Sequence, residues 1–215
     1  MISRTLLLVA GPSGCGKSRL SRAATGAGGV TTLPLDEFYR DLDHPGLPRT
    51  LGIVDWDDVA SWDCSMAIEA VRHLLSDGSA EVPTYDISQS LRVGSRMLHM
   101  GDTRVLLAEG IFAPPLLAAA RTAGLPVEAL WLARHRSTNF TRRLARDLKE
   151  KRKAPTVLLR RGAALYRSEP QLTGEAMAAG FRAVGMREAT RVVAQLAGAA
   201  ASTSRRQPSR TRVTE

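Results

Sequence analysis

Three observations predict an α/β fold, with a central parallel sheet flanked by helices in three layers. Two runs, Leu6 to Ala10 and Thr103 to Ala108, have the continuous apolar pattern of central strands covered on both faces, not the alternation of a half-exposed strand. The first run passes directly into the glycine-rich stretch Gly11-Pro12-Ser13-Gly14-Cys15-Gly16-Lys17-Ser18 and then into a helix-like segment, the strand–loop–helix context in which such a loop binds phosphate. Strand-like and helix-like segments alternate thereafter, as a parallel sheet requires.

The elements follow in order. Lys17 to Thr25 predicts a short helix ended by Gly26, Gly28 and Gly29. Val30 to Leu35 predicts a second strand that delivers Asp36 to the carboxyl edge of the sheet, where open α/β sheets bind ligands. Position alone leaves two roles for Asp36, a carboxylate facing the loop or a helix cap. Residues Arg40 to Trp62, rich in Asp, Pro and Gly, read as a loop whose stretch Asp55 to Asp63 either lines a pocket for a hydroxylated planar ligand or enters a capped helix. Asp63 caps a helix to about Ser76, with Ala67, Ile68, Val71, Leu74 and Leu75 on one face. Val82 to Asp86 and Ser95 to His99 predict a small β flap.

The apolar run Thr103 to Ala108 ends in Glu109-Gly110, which brings a second acid to the carboxyl edge. Behind a phosphate loop such an acid is the expected partner of hydrated magnesium, with a structural salt bridge as the alternative. Pro114 to Ala123 and Val127 to Leu132 predict a helix and a strand. Ser137 to Lys153 predicts a basic helical lid, in which Phe140, Leu144 and Leu148 form a narrow apolar stripe amid arginines and lysines. A further helix is expected over Thr156 to Arg167, irregular structure with helical pieces over Pro170 to Gly185, and a last helix over Met186 to Ala197.

With 215 residues, one domain over 1–200 is the simplest organisation. A basic tail over 201–215, rich in Ala, Ser, Thr, Arg and Pro, is expected to be disordered. The formal net charge is +9, of which residues 205–215 carry +3. The tail thus accounts for part of the charge and reads as a solvated segment, which weakens a specific nucleic-acid reading. No apolar run nears the roughly 18 residues of a membrane span, and two cysteines without framework or metal spacing suit a reducing, cytoplasmic setting. The scattered His44, His73, His99 and His135 give no zinc site, and no serine lies in a nucleophile elbow. Self-association is left open.

In the loop, glycines let backbone N–H groups turn inward. Lys17 can reach the β- and γ-phosphates of a nucleotide, and the Ser18 hydroxyl suits a magnesium ligand. The expected phosphate cradle is Gly11, Pro12, Ser13, Gly14, Cys15, Gly16, Lys17, Ser18 and Arg19. Cys15 is expected to lie where side chains are nearly free, with no role of its own.

Together with that loop, Leu35-Asp36-Glu37-Phe38-Tyr39, Trp56-Asp57 through Trp62-Asp63, Val82-Pro83-Thr84-Tyr85-Asp86, Glu109-Gly110 and Arg142-Arg143-Leu144-Ala145-Arg146-Asp147 resemble the uridine kinase (uridine–cytidine kinase) family over about residues 5–152. The resemblance implies a P-loop kinase-type fold and transfer of the γ-phosphoryl group of ATP, with Mg2+, to the 5′-hydroxyl of a nucleoside. By that likeness Asp36 matches the catalytic aspartate, and Ser18 and Glu109 match the other magnesium-side groups. Tyr39, Trp56, Asp57, Tyr85 and Arg92 match the nucleoside side, and Arg143 and Arg146 match the lid or its supporting helix. The likeness departs at Ser90, which stands where the family has a base-side histidine, and at Lys151-Arg152-Lys153, which replaces an Arg-Gly-Arg. It departs again at the extra segment Asp43 to Gly52. A related kinase with another small alcohol acceptor, or a non-catalytic nucleotide-binding regulator, are the alternatives.

Overall fold

The computed structural model describes residues 3–50, 52–135, 137–139, 141 and 169–204. Five parallel strands form the central sheet in the order β2-β7-β1-β8-β9: β1 (Thr5–Ala10), β2 (Val30–Pro34), β7 (Val105–Glu109), β8 (Val127–Leu132) and β9 (Arg182–Val184). Helix α1 (Lys17–Ala27) and the last helix, α5 (Met186–Ser204), cover one face. Helices α2 (Cys64–Ser76) and α3 (Ala113–Thr122) and the helical residues 169–178 (α4) cover the other.

The uninterrupted apolar run of β1 follows from this sandwich. Leu6, Leu8 and Ala10 enter the α2/α3 core, whereas Leu7 and Val9 enter the α1/α5 core. All five are at most 1% exposed, so none of these five positions tolerates an unpaired polar side chain. Each buried leucine contributes about 2 kcal/mol of transfer free energy. α2 begins where Asp63 accepts the Met66 N–H at 3.0 Å, as its capping residue type predicts.

Register carries the sheet's geometry to the site. Val9 of β1 and Pro34 of β2 both pair with Glu109 of β7, so Glu109 ends between the strand that opens into the phosphate loop and the strand that leads to Asp36. After β1 the chain moves out to β2, and the later crossing to β8 leaves a crevice at the carboxyl edge.

Two small antiparallel sheets are separate from the central sheet. One pairs β3 (Arg49–Thr50) with β4 (Ile53–Val54) inside the stretch expected to be loop. The other, β5 (Ser79–Asp86) with β6 (Leu91–His99), is the expected flap, each strand starting earlier than predicted and ending at the predicted residue. Strand β9 falls in residues expected to be irregular, and it pairs through just three residues with β8. The last helix runs to Ser204, four residues into the expected tail, because its alanine-rich end favours helix. The expected tail residues 205–215 and most of the expected basic lid lie outside the described residues. No described helix is long and apolar enough to cross a membrane.

Candidate active site

The phosphate loop forms because its glycines occupy backbone regions closed to other residues: Gly14 has φ 89° and Gly16 φ 108°. Gly16 precedes α1 without a side-chain cap, which leaves the first amides of the helix directed at the cleft, where an anion satisfies them. The Lys17 ammonium donates to the Gly11 carbonyl at 2.8 Å and reaches Pro12 O at 3.5 Å, which holds it folded over the loop. Cys15 corrects one expectation. Its side chain is fully buried in the α1/α5 core rather than free, and a Cβ on Gly11 would come within 2.8 Å of its sulfur. Burial pushes the thiol pKa up, partly opposed by Lys17, so it is an inert thiol.

Ser18 Oγ donates to Glu109 Oε1 at 2.9 Å, which joins the helix start to the end of β7. A cleft of about 380 Å³ runs over this pair, lined by Ser13, Gly14, Lys17, Arg19, Asp36 and Gly110 among others. An adjoining cleft of about 410 Å³ is lined by Thr32, Pro34, Glu37, Tyr85 and Ile87. Ser18, Arg22, Asp36 and Glu109 line both. Two carboxylates and a hydroxyl therefore meet where the clefts join. Among the described residues no group of three or more His, Cys, Asp or Glu could hold a metal ion by itself. A hard-oxygen set of this kind fits Mg2+, which binds through one or two carboxylates, substrate phosphates and retained water.

On the far side, a 3-10 turn at Leu35–Phe38 carries Asp36. Tyr39 follows, its ring centroid 5.6 Å from Trp56, 5.6 Å from Tyr85 and 5.5 Å from Phe112. The flap is fastened to this turn. Arg92 donates through Nε to Tyr39 O at 3.0 Å and through its backbone N–H to Asp41 Oδ1 at 2.7 Å, and Arg96 grips both oxygens of Glu37 at 3.0 and 2.8 Å. Tyr85 Oη donates to Arg40 O at 3.2 Å. Burial pushes the Tyr85 phenol above its ordinary pKa, against a hydrogen bond with Ser90, so it stays a neutral donor at physiological pH.

Residues 6–156 match the model of the phosphoribulokinase / uridine kinase family. The chain belongs to that family. A uridine kinase of Staphylococcus epidermidis is 28% identical over 154 residues, which cover 70% of this chain and 72% of that protein. A uridine kinase of Macrococcus caseolyticus is 27% identical over 155 residues, with 70% and 72% covered. The fold is shared with a protein of Silicibacter provisionally assigned as a fructose transport system kinase, at TM-score 0.57 and 19% identity over 86% of this chain and 90% of that one. As a member of the family, the protein is an ATP-dependent phosphotransferase.

For this kinase family member, the expected site residues divide by location. Of the loop, Ser13, Gly14, Gly16, Lys17, Ser18 and Arg19 line the joined clefts with Asp36 and Glu109, whereas Gly11, Pro12 and the buried Cys15 do not. Tyr39, Trp56 and Tyr85 form one aromatic cluster, with Asp57 exposed beside Trp56. Arg92 is committed to the flap attachment, with Asp63 a further 3.5 Å partner, so its guanidinium already serves the protein. Arg143 and Arg146 lie outside the described residues. Sequence reading missed Arg22, Glu37, Ile87 and Phe112. Arg22 had a signal, since it lies one helical turn after Ser18 and its Nε donates to Ser18 O at 3.1 Å.

Proposed function

We propose that this protein transfers the γ-phosphoryl group of Mg2+-bound ATP to the 5′-hydroxyl of a nucleoside or a nucleoside-like alcohol. The observation that carries the proposal is the junction of the two clefts, where Asp36 faces the same space as Ser18 and Glu109. The loop amides and Lys17 bind the phosphates of ATP and hold the γ-phosphoryl group in place. Ser18 and Glu109 would hold Mg2+, with Asp36 beside them; the ion, when bound, neutralises charge on the phosphate oxygens. Asp36 accepts the proton of the acceptor hydroxyl as its oxygen bonds to the γ-phosphorus, while the bond to the β–γ bridging oxygen breaks and ADP leaves. Arg143 and Arg146 are assigned to the charge of the group in transfer. Tyr39, Trp56 and Tyr85 supply ring faces for a planar base, and Asp57 accepts hydrogen bonds from ribose hydroxyls.

A second acceptor class has its own support. Ser90 is the one non-glycine residue with positive φ among the described residues, at 53°, and its carbonyl accepts the Leu42 N–H at 2.9 Å. The hairpin turn that would present a base-side imidazole is thus built around a serine bonded to Tyr85 and to the preceding segment. Without an imidazole at that turn, a related small alcohol lacking a pyrimidine base is the second acceptor class we propose.

Measuring ADP release from Mg2+-ATP across nucleosides, sugars and other small alcohols tests the proposal. Stimulation by nucleosides with an intact 5′-hydroxyl, and none by their 5′-deoxy analogues, is the expected result. Stimulation by a non-nucleoside alone supports the second class, and stimulation by none sinks both.

A further inference from the structure

Asp36 reaches the junction of the clefts because the residue before it is held from two sides. Leu35 is fully buried. On one side its carbonyl accepts the indole N–H of Trp62 at 2.8 Å, and Trp62 is itself 1% exposed and stacked on Phe112 with ring centroids 5.2 Å apart. On the other side lies Gly110, the residue after Glu109, whose partner Pro34 closes the register of β2 with β7 just before Leu35. A Cβ on Gly110 would stand 2.7 Å from Leu35 Cβ, 3.5 Å from Leu35 Cγ and 3.4 Å from Asp36 Oδ1.

The need for glycine at this position is steric, because Gly110 is absent from the positive-φ residues. An alanine could adopt its backbone conformation, and only the neighbour forbids it. That neighbour cannot easily retreat. The Leu35 Cβ is fixed to a backbone that Trp62 anchors, and its side chain fills a core packed at crystal-like density. A methyl at position 110 would therefore be relieved by a shift of the 3-10 turn, and Asp36 is the next residue on that turn.

We propose that Gly110 and Trp62 are positioning residues that set where the Asp36 carboxylate stands relative to the Ser18–Glu109 pair. Gly110 lets the end of β2 close onto the end of β7, and Trp62 keeps it there. Neither acts on a reacting atom. Their effect passes through Asp36, so the inference rests on the role proposed above for that residue. Phosphoryl transfer is sensitive to such placement, because an error of about 1 Å in a reacting group can cost on the order of a hundredfold in rate.

The test is a double-mutant cycle read by kcat, by the KM for ATP and by direct ATP binding, with Gly110→Ala and Trp62→Phe each made alone and with Asp36→Asn. The phenylalanine keeps a ring in the core and removes the N–H donor. We expect Gly110→Ala to lower kcat by about tenfold to a hundredfold and Trp62→Phe by about fivefold to tenfold, with the ATP dissociation constant changed by less than about twofold. In the Asp36→Asn background neither substitution should lower kcat by more than about twofold, because there is no carboxylate left to misplace.

Equal losses in both backgrounds would overturn the positioning role, as would an unchanged kcat in both single variants. If Gly110→Ala does not fold, as judged by thermal unfolding, Trp62→Phe decides the matter by the same comparison. If Asp36→Asn alone leaves kcat unchanged, the role of Asp36 fails, a result distinct from additivity within the cycle.

Discussion

The two sides of the joined clefts are built by opposite strategies. On the proposed donor side, one continuous stretch of nine residues, Gly11 to Arg19, forms the expected phosphate cradle, with backbone amides, Lys17 and the Ser18–Glu109 contact as its polar groups. On the acceptor side, segments from Leu35 to Phe112 converge on Tyr39, and charged side chains are spent on holding those segments together. A phosphate group is the same in every nucleotide, so a fixed backbone shape suffices to bind it. An acceptor differs from enzyme to enzyme, so its pocket is assembled from separate pieces that can change independently.

That contrast can be broken most forcefully at the residue between the halves. Asp36→Asn should lower kcat by roughly two or more orders of magnitude while ATP still binds, since a positioned acid–base group is lost; steady-state kinetics with a nucleotide-binding measurement checks this. Glu109→Gln belongs to the donor side. It should raise the Mg2+ concentration for half-maximal rate about tenfold to a hundredfold and leave the acceptor KM nearly unchanged, as a magnesium titration at saturating acceptor would register. Tyr39→Ala is the acceptor-side counterpart, with an expected rise of about tenfold in acceptor KM and little change in the KM for ATP. Should both KM values rise together, the two sides are not separable.

Smaller effects sharpen the picture of the flap. Arg96→Ala breaks a partly exposed ion pair with Glu37, and a loss of at most about threefold in turnover is expected, shrinking further at high salt. At the hairpin turn, hydrogen bonds from the Ser88 hydroxyl, then from Gln89, hold the Asp86 pKa down to about 2. A folded-state pKa below the unfolded one stabilises the protein above the unfolded value, near 4, and that contribution is lost as pH falls toward 2. Thermal melts should thus show Asp86→Asn slightly less stable than the parent at pH 7, with the difference fading below pH 4. A difference that grows as pH falls would contradict the assignment.

Legibility in the sequence followed the same division. The loop, Val127–Leu132 and the Asp63 cap could be read because each depends on local rules: glycine spacing, alternation along a strand and a capping side chain. Asp36 and Glu109 could be placed because strand ends share one edge. The direction of Cys15 could not, since nothing local distinguishes a loop side chain that folds into the core from one that faces solvent. Strand β9 has three residues and exists through its pairing with β8, a tertiary contact without a periodic signature. The flap was underestimated because β6 is largely exposed, which leaves its polar residues without the alternation that marks a half-buried strand. Arg92, placed by likeness on the substrate side, also bonds Tyr39 O and Asp41 and so fastens the flap, a contact that spacing alone does not reveal.

The central claim is that both halves serve one transfer event, and it is tested most directly by following label from γ-phosphate-labelled ATP in the presence of magnesium and a nucleoside. The account predicts that label appears on the nucleoside 5′-oxygen, in step with ADP formation. Label released only as inorganic phosphate, at a rate indifferent to the nucleoside, would contradict it.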